Sequence, residues 1–403
     1  MKFFISILIC IFTASSLFGY IQTRNDYGAQ LKVFKELDID PKYMKDPYFL
    51  AMSLDENNIT KKSFVNIIKE EYSHISMLKE LIKNSDIPKT FLYLAIVESG
   101  LSNKAVSNVR AVGMWQFMEG TAKIYGLKIN KYVDERRDPV AATQAAVSYL
   151  KALKSQFGKW YLAIIAYNCG EGKLKKAIAA AGTDSLSVLV DPDKKYLSLE
   201  TRMFIKKILL SAYMAEDSDF IISKDSSLLN NANQISITKI MVPGGTSLAS
   251  VGDSIGLSLK KMKEFNAHLK FGFTPPNLKE YHMYIPISKK DLFASNFKAT
   301  KSDKVFHVYK VKKGDTIAKI ASKWGTNSNE IKKYNNITSV KVNQEIVILA
   351  SKSAAVLSSY KVQKGDTLIR ISKKFDVKIS DILEANDMKT SKLDIGDSIV
   401  IPK

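Results

Sequence analysis

A mainly helical domain followed by a string of small βααβ modules is the fold class this sequence predicts. Three observations carry that expectation. Residues from Leu31 to Ala215 show helical periodicity with few strand-like runs, and the C-terminal half contains an internal repeat. Between and beside these segments lie stretches rich in Ser, Asn, Lys and Ala that read as linkers. With 403 residues, 46% of them apolar and 25% charged, the chain is multidomain and globular in composition.

The N-terminus reads as a secretory signal peptide over residues 1–19. Lys2 supplies the charge, Phe3 to Ala14 the apolar run, and Ala14, Ser15, Ser16 and Gly19 the small residues around a cleavage point after Ser16 or Gly19. The apolar run is shorter than the ~20 residues a spanning helix needs. Cys10 follows Ile9, where a lipoprotein signal requires a small residue, so lipidation is disfavoured. Cleavage leaves Cys169 as the one cysteine and excludes an intramolecular disulfide. The mature chain is therefore expected outside the cytoplasmic membrane, in the periplasm or cell envelope of a bacterium.

The formal net charge of +20 points to an anionic partner. An anionic wall polymer fits, and the charge is also compatible with peripheral membrane association. Nucleic acid is disfavoured, because Lys is spread along the whole chain and no zinc-knuckle spacing or Arg-rich arm is present. Residues 20–81 form an N-terminal helical region without a motif to name its task, and the oligomeric state is not encoded legibly.

The segment 82–215 carries the chemistry. All four histidines, His74, His268, His282 and His307, lie outside Thr90–Ala215, which removes a His-activated nucleophile and a His-ligated zinc from that stretch. Its carboxylates from Glu98 to Glu171 are Glu98, Glu119, Asp134, Glu135, Asp138 and Glu171. Glu98 alone follows an uninterrupted apolar helical run, Phe91–Val97. A carboxyl at the end of such a helix can be desolvated, which raises its pKa and suits it to general-acid chemistry. On the residues alone, a solvated charge at a helix end is the more natural reading of Glu98.

Downstream, residues 216–234 read as a linker. VKKGDTIAKIASKWGTNSNEIKKYN (Val311–Asn335) aligns without a gap on VQKGDTLIRISKKFDVKISDILEAN (Val362–Asn386) at a constant shift of 51 residues, and VPGGTSLASVGDSIGLSLKKMKEFN (Val242–Asn266) aligns on the first at a shift of 69. Each copy reads as strand, helix, helix, strand. In the last, Ser359–Val362 is extended, Gly365 permits a tight turn, and Asp366 or Thr367 can cap the first helix. Leu368, Ile371 and Phe375 bury one face, Ser380 can cap the second helix, Ile382 and Leu383 face inward, and Asp397–Pro402 returns as a strand. The modules are placed at 235–287, 305–350 and 359–403, with linkers at 288–304 and 351–358.

The two GDT turns, Gly314-Asp315-Thr316 and Gly365-Asp366-Thr367, resemble those of the LysM module, which binds GlcNAc-containing glycans between the turn after its first strand and the loop before its last. The resemblance places Gly314, Asp315, Thr316 and Ile317, and Gly365, Asp366, Thr367 and Leu368, beside the sugar. The earliest copy departs, with Gly245-Thr246-Ser247 in place of GDT, and reads as a degenerate LysM-like module. Glu98-Ser99, Gly113-Met114-Trp115-Gln116-Phe117-Met118, Ala166-Tyr167-Asn168 and Leu199-Glu200-Thr201-Arg202 stand in the order and spacing of the Slt-type lysozyme-like domain, glycoside hydrolase family 23. Four such motifs followed by LysM repeats resemble the D subgroup of membrane-bound murein transglycosylases. Leu101, Met114 and Cys169 depart from the usual residues at their positions. For Cys169, a small packed residue is the better reading than a reactive thiol.

That family resemblance implies a peptidoglycan lytic transglycosylase acting on glycan strands. Glu98 is the implied catalytic acid and base, closing a 1,6-anhydro ring on MurNAc, and the substrate's N-acetyl group substitutes for the second carboxylate most glycosidases need. Ser107, Gln116 and Met118 are implied to line sugar subsites, Tyr167 to support the reacting ring, Asn168 to position a loop and Glu200 to orient neighbours. Trp115 is expected in the core. No metal or organic cofactor is implied. A hydrolytic muramidase of the same fold, a non-catalytic wall-binding protein and a chitin-directed enzyme are the competing expectations.

Overall fold

The computed structural model describes residues 24–46, 64–68, 72–216, 236–298, 304–351, 358–386, 388 and 390–401. The expected signal peptide and nearly all of the expected linkers at 216–234 and 351–358 lie outside them. The chain divides into two compact units. One runs to Ile129 and resumes at Asp134; the other takes Asn130–Val133 together with the chain from Ile237 onward. Among the described residues no helix is long and apolar enough to cross a membrane.

The first unit is helical: α1 (Arg24–Glu36), a short helix at 64–68, α2 (Tyr72–Lys83), α3 (Phe91–Ser99), α4 (Glu119–Ile124), α5 (Pro139–Phe157), α6 (Trp160–Cys169), α7 (Glu171–Ala181), α8 (Leu186–Leu189) and α9 (Leu199–Glu216), with 3-10 turns at Pro41–Lys45 and Glu135–Arg137. Local chemistry sets the ends of α5. The Asp138 carboxylate accepts from the backbone N–H groups of Val140 (3.0 Å) and Ala141 (2.9 Å), Pro139 starts the helix, and Gly158 leaves it in the left-handed conformation. Between these ends Ala142, Ala145, Ala146, Leu150 and Leu153 form the buried stripe. Helix α6 is apolar all round, with Tyr161 through Ala166 buried, and so runs through the middle of the unit. Helix α3 is built the same way, with Phe91, Leu92, Leu94, Ala95 and Ile96 buried, and it stops at Gly100, another left-handed glycine.

The N-terminal helical region belongs to this core. Phe34 and Leu37 are fully buried. The Thr90 hydroxyl, at the start of α3, donates to Glu36 at 2.6 Å. The backbone N–H groups of Trp160 and Tyr161 donate to Asp38 Oδ2 (2.9 Å) and the Leu37 carbonyl (3.0 Å). Segment 34–38 thus holds the first turns of both central helices.

The second unit contains three two-stranded antiparallel sheets. Strands β1 (Ile237–Pro243) and β2 (Glu280–Pro286) flank α10 (Leu248–Ile255) and α11 (Leu259–Phe265). Strands β3 (Lys304–Lys310) and β4 (Glu345–Ser351) flank α13 (Ile317–Lys323) and α14 (Ser328–Asn335). Strands β5 (Ser358–Lys361) and β6 (Ser398–Ile401) flank α15 (Leu368–Phe375) and α16 (Ile379–Ala385). Helix α12 (Lys290–Asn296) follows β2. Each module has its own apolar centre: Val242, Leu248, Met262 and Met283 in the first, Ile317, Ile320, Ile331 and Ile346 in the second, and Leu368, Ile371, Ile382 and Ile399 in the third.

The asparagine that ends each aligned repeat has a structural reason. Asn335 accepts from the Val347 N–H (2.7 Å) and donates to the carbonyls of Val347 (2.7 Å) and Ile331 (2.8 Å), so one side chain plays the part of an extra strand beside β4. Asn266 does the same with Tyr284 and Met262 in the first module. Asn386 donates to the Ile382 carbonyl at 2.7 Å in the third.

Two expectations need correction. The segment 288–304, read as a linker, contains α12, whose Phe293, with Phe297 at its C-cap, packs against the first module's core while the Asn296 amide donates to the Ser254 carbonyl. Helix α16 begins at Ile379, so Ser380 lies inside its first turn, not at the cap.

Candidate active site

Glu98 is the penultimate residue of α3, one position before Ser99 and two before the left-handed Gly100. Its side chain keeps part of its surface open, yet protein surrounds it closely enough that desolvation dominates. Burial, and secondarily the charge of Glu200, push its carboxyl from the ordinary 4.5 to about 8. Glu98 therefore holds its proton at neutral pH. The Tyr167 hydroxyl is held well above its ordinary value by burial first, then by the charges of Glu98 and Tyr149, which places Glu98, Tyr149 and Tyr167 within one electrostatic neighbourhood.

The loop from Ser102 to Met118 is fastened to this pair. Ser99 Oγ donates to the Met114 carbonyl at 2.8 Å, and the Tyr167 hydroxyl donates to the Trp115 carbonyl at 2.7 Å. Trp115 is fully buried, as expected for a core residue, with its indole N–H on Thr143 Oγ1 at 2.9 Å. Gly113 sits at φ +82° against the 3-10 turn at Glu135–Arg137, where a Cβ would lie 1.8 Å from the Arg136 carbonyl oxygen. Arg136 is the anchor on the far side. Its guanidinium pairs with Asp134 (2.8 Å) and donates to the carbonyls of Arg110 and Phe117 (both 3.3 Å), while Arg137 reaches the Asn103 carbonyl at 3.3 Å. A largely buried arginine holding three chain segments is a rigid support for the loop.

The remaining expected residues fall as follows. Gln116, at φ +48°, donates its amide to the Gly113 carbonyl at 2.7 Å. Ser107 Oγ accepts from the Ala111 N–H at 3.0 Å, which leaves its own proton free to donate. Met118 is exposed, Asn168 half-buried, and Glu200 exposed at the start of α9. Cys169 is half-buried with its thiol pushed up by burial, so it stays a thiol. Sequence reasoning missed Arg136, Thr143 and a cluster of half-buried tyrosines. Tyr125, Tyr149 and Tyr167 follow one another at ring separations of 5.0 and 5.2 Å, with Phe117 beside Tyr167 at 6.4 Å. Tyr149 is pushed up to about 12 by burial, then by Glu171 and Tyr125.

The GDT turns of the second and third modules are built alike. Gly314 and Gly365 take φ of +86° and +89°. Thr316 and Thr367 cap α13 and α15 through Oγ1, which settles the cap on the threonine in the third module. Asp315 and Asp366 instead tie the turn to its strand. Each accepts a tyrosine hydroxyl at 2.7 Å, from Tyr309 and Tyr360, and the N–H of the residue three before it. Ile317 and Leu368 were expected beside the sugar, but their side chains are buried in the module cores at 7% and 2% exposure, so only their backbone can face a ligand. The Gly245-Thr246-Ser247 turn of the first module is closed differently. The Gly245 N–H donates to the Thr274 carbonyl, the Thr274 N–H to the Thr246 carbonyl, and the Leu248 N–H to the Gly272 carbonyl, at 3.0, 2.9 and 2.8 Å.

Comparison with known proteins bears on what this arrangement does. Residues 76–189 match the family model described as a transglycosylase SLT domain. Residues 309–349 and 360–402 match the LysM domain, and 236–302 match the LysM-like domain of lytic transglycosylase MltD, a range that takes in α12. Membrane-bound lytic murein transglycosylase D of Escherichia coli (strain K12) is 30% identical over 346 residues, which cover 79% of this chain and 74% of that one. The probable peptidoglycan endopeptidase LytE of Bacillus subtilis (strain 168) is 34% identical over 94 residues, 20% of this chain and 28% of that one. Among solved structures, the 70-kDa soluble lytic transglycosylase of Escherichia coli overlaps 40% of this chain and 26% of its own at a TM-score of 0.29 and 25% identity. With a relative matched along most of both chains, and with its Slt and LysM segments in the order their motifs foretold, the chain belongs to the lytic murein transglycosylase D family, a Slt-type helical domain followed by LysM peptidoglycan-binding modules.

Proposed function

We propose that Glu98 is the single acid–base residue of a reaction that cuts the β-1,4 bond between MurNAc and GlcNAc and closes a 1,6-anhydro ring. Glu98 gives its proton to the glycosidic oxygen as the bond from that oxygen to the MurNAc C1 breaks. The resulting carboxylate then takes the proton of the C6 hydroxyl, whose oxygen bonds to C1. The acid ends as it began, no water is consumed, and the reaction is that of a carbon–oxygen lyase. The observation that carries this reading is the desolvated carboxyl at the end of α3, still protonated at neutral pH. The carboxylate whose charge it feels, Glu200, is exposed, which suits a residue that tunes the acid better than a second reacting group.

On this reading Ser107 offers a hydrogen-bond donor, Met118 an apolar surface, and Tyr167 a fixed support for the reacting ring, with Gln116 and Asn168 shaping the groove between them. The tyrosine cluster extends that wall with rings on which sugars stack. The turns at Gly314–Ile317 and Gly365–Leu368 hold GlcNAc-containing strands, and residues 1–19 direct export to the periplasm or envelope.

Digestion of purified sacculi followed by mass spectrometry tests the reaction. Anhydro-muropeptides are expected from the native enzyme, and their complete loss from Glu98→Gln with sacculus binding retained. Products one water heavier identify a hydrolytic muramidase instead. More than a few per cent of native activity in Glu98→Gln removes Glu98 from its role.

A further inference from the structure

The helices that carry the groups of the proposed reaction are fastened at their far ends by one short stretch of the N-terminal region. Neither α3 nor α6 has a side-chain cap of its own, since Thr90 and Lys159 make no such bond. Glu36 supplies the first cap from 54 residues away, its carboxylate accepting from the Thr90 N–H at 3.3 Å and the Thr90 hydroxyl at 2.6 Å. Asp38 supplies the second, accepting from the Trp160 N–H at 2.9 Å, while the Leu37 carbonyl takes the Tyr161 N–H at 3.0 Å. A third helix is tied to the same place by its other end. Glu216, the last residue of α9, pairs with Lys32 of α1 at 2.6 Å and with Lys89 at 2.8 Å, and Lys89 lies 3.8 Å from Glu36. Asp38 also pairs with Lys154 in the last turn of α5. Beneath these bonds Phe34 and Leu37 are fully buried, and the Phe34 ring stands 6.4 Å from that of Tyr213 on α9.

The opposite ends of the same three helices bear Glu98, Tyr167 and Glu200. At 1.5 Å per residue, Glu98 lies about 12 Å along α3 from Thr90, Tyr167 about 11 Å along α6 from Trp160, and Glu200 about 24 Å along α9 from Glu216. A packed helix is a rigid element, so a displacement of one end is carried to the other. The backbone at Asp38 carries a cost that the fastening explains. It takes φ +59° where α1 closes, with the Ile39 N–H on the Phe34 carbonyl at 2.9 Å, a place where glycine is the unstrained choice. Glycine, however, has no carboxylate to offer Trp160. We infer that Glu36-Leu37-Asp38, with Lys32 and Lys89, is a positioning element: by fixing the far ends of α3, α6 and α9 it sets the spacing of Glu98, Tyr167 and Glu200. These five residues act through the helices and touch no substrate. The inference rests on the proposed function, since it takes Glu98 to be the reacting acid.

Kinetics of the full-length protein on soluble glycan strands test it, each variant assayed well below its own transition temperature. Glu36→Ala and Asp38→Gly remove the two acceptors one at a time. Asp38→Gly also removes the backbone cost, so its transition temperature stays near the native one and a change in turnover is not a loss of folding. In each variant kcat is expected to fall about tenfold or more with KM unchanged. Glu36→Gln and Asp38→Asn keep an acceptor oxygen and are expected to restore native kcat. Lys35→Gln, an exposed residue of the same turn of α1, is the control and is expected to behave as native. Native kcat in Glu36→Ala and Asp38→Gly, a loss confined to KM, or a loss that Glu36→Gln and Asp38→Asn share overturns the inference. Carbon-13 NMR titration of the Glu98 carboxyl, assigned by its absence from Glu98→Gln, separates the positioning element from the reading beneath it. A native carboxyl that titrates near 4.5 refutes the acid itself. One near 8 in the native protein that drops toward 4.5 in Glu36→Ala and Asp38→Gly supports the positioning element, and one unmoved in both variants overturns it.

Discussion

Glu98→Gln offers a test of the desolvated acid that needs no substrate. A carboxyl whose folded pKa is about 8 against an ordinary 4.5 binds one more proton in the folded than in the unfolded state throughout that window. Stability of the native protein therefore falls as pH rises from 4.5 to about 8 and is level above it, because folding must carry a charge into a desolvated site. At 1.36 kcal/mol per pKa step, the full interval corresponds to about 5 kcal/mol. The Glu98 side chain is only partly buried, and solvent screening leaves about 2 kcal/mol. Glutamine has nearly the same shape and no charge to desolvate, so its stability carries no such slope. For a domain of 150–250 residues each kcal/mol moves Tm by roughly 2–4 °C, so the variant's helical-unit transition is expected to gain about 4–8 °C on the native protein between pH 4.5 and 9. Calorimetric scans of both proteins across that range measure the difference directly. A gap between the two that does not change with pH would show that Glu98 is solvated, and the acid assignment would go with it.

Gly113→Ala is expected to push the loop off the Arg136 carbonyl, since its Cβ has 1.8 Å where ordinary contact needs more than 3. Activity on sacculi should fall about 100-fold from misplacement of the groove wall, with a lower transition temperature for the helical unit; native turnover in this variant contradicts the packing argument. Asn335→Ala leaves the Val347 N–H and carbonyl without their side-chain partner and should cost the second module about 2–3 kcal/mol in chemical unfolding. A chain stopped at about residue 234 is expected to keep its helical circular dichroism and its cleavage of soluble strands while its pull-down by sacculi drops about tenfold or more. Equal pull-down of the two chains removes the modules from the targeting role.

What the sequence made legible, and what it hid, follow from how each signal is written. The helix–module division was readable because periodicity and repetition are statements about many residues at once. Glu98 could be singled out because Glu98-Ser99 opens the run of family motifs; the seven apolar residues leading to it agree with burial but alone read as readily as the end of a helix with a solvated charge. Arg136 was hidden for the opposite reason. In the run Asp134-Glu135-Arg136-Arg137-Asp138 five charges of both signs read as a solvated turn, and nothing local reveals that Arg136 is buried by carbonyls from residues 110 and 117. Helix α12 hid behind its Lys, Ser and Ala content. The signal that outweighs composition there is the pair Phe293, in the helix, and Phe297, at its C-cap, whose rings stack at 4.9 Å and pack against the module core. The turn residues show a finer limit. A motif says that Ile317 and Leu368 follow the glycan-facing turn, but the helical step after the threonine cap turns both side chains into the core.

The first module keeps the βααβ fold but closes its first turn differently from the other two. In the family arrangement the glycan lies between the turn after the first strand and the loop before the last. Here those two segments are joined to each other: Gly245, Thr246 and Leu248 pair through their backbones with Gly272 and Thr274, and the Thr274 hydroxyl donates to the Pro243 carbonyl at 2.8 Å. Backbone groups that would have met a sugar are already satisfied, and opening them would expose the donors and acceptors of both strands of the contact. The same loop carries Phe273, 2% exposed, whose ring stacks on Phe306 of β3 at 4.9 Å and joins Val308 and Val347 in an apolar cluster shared with the second module. The residues that close the would-be groove are thus the ones that supply the docking face. Loss of the GDT sequence is then the expected companion of that contact, since a turn held from across the groove no longer needs an aspartate to tie it to its own strand.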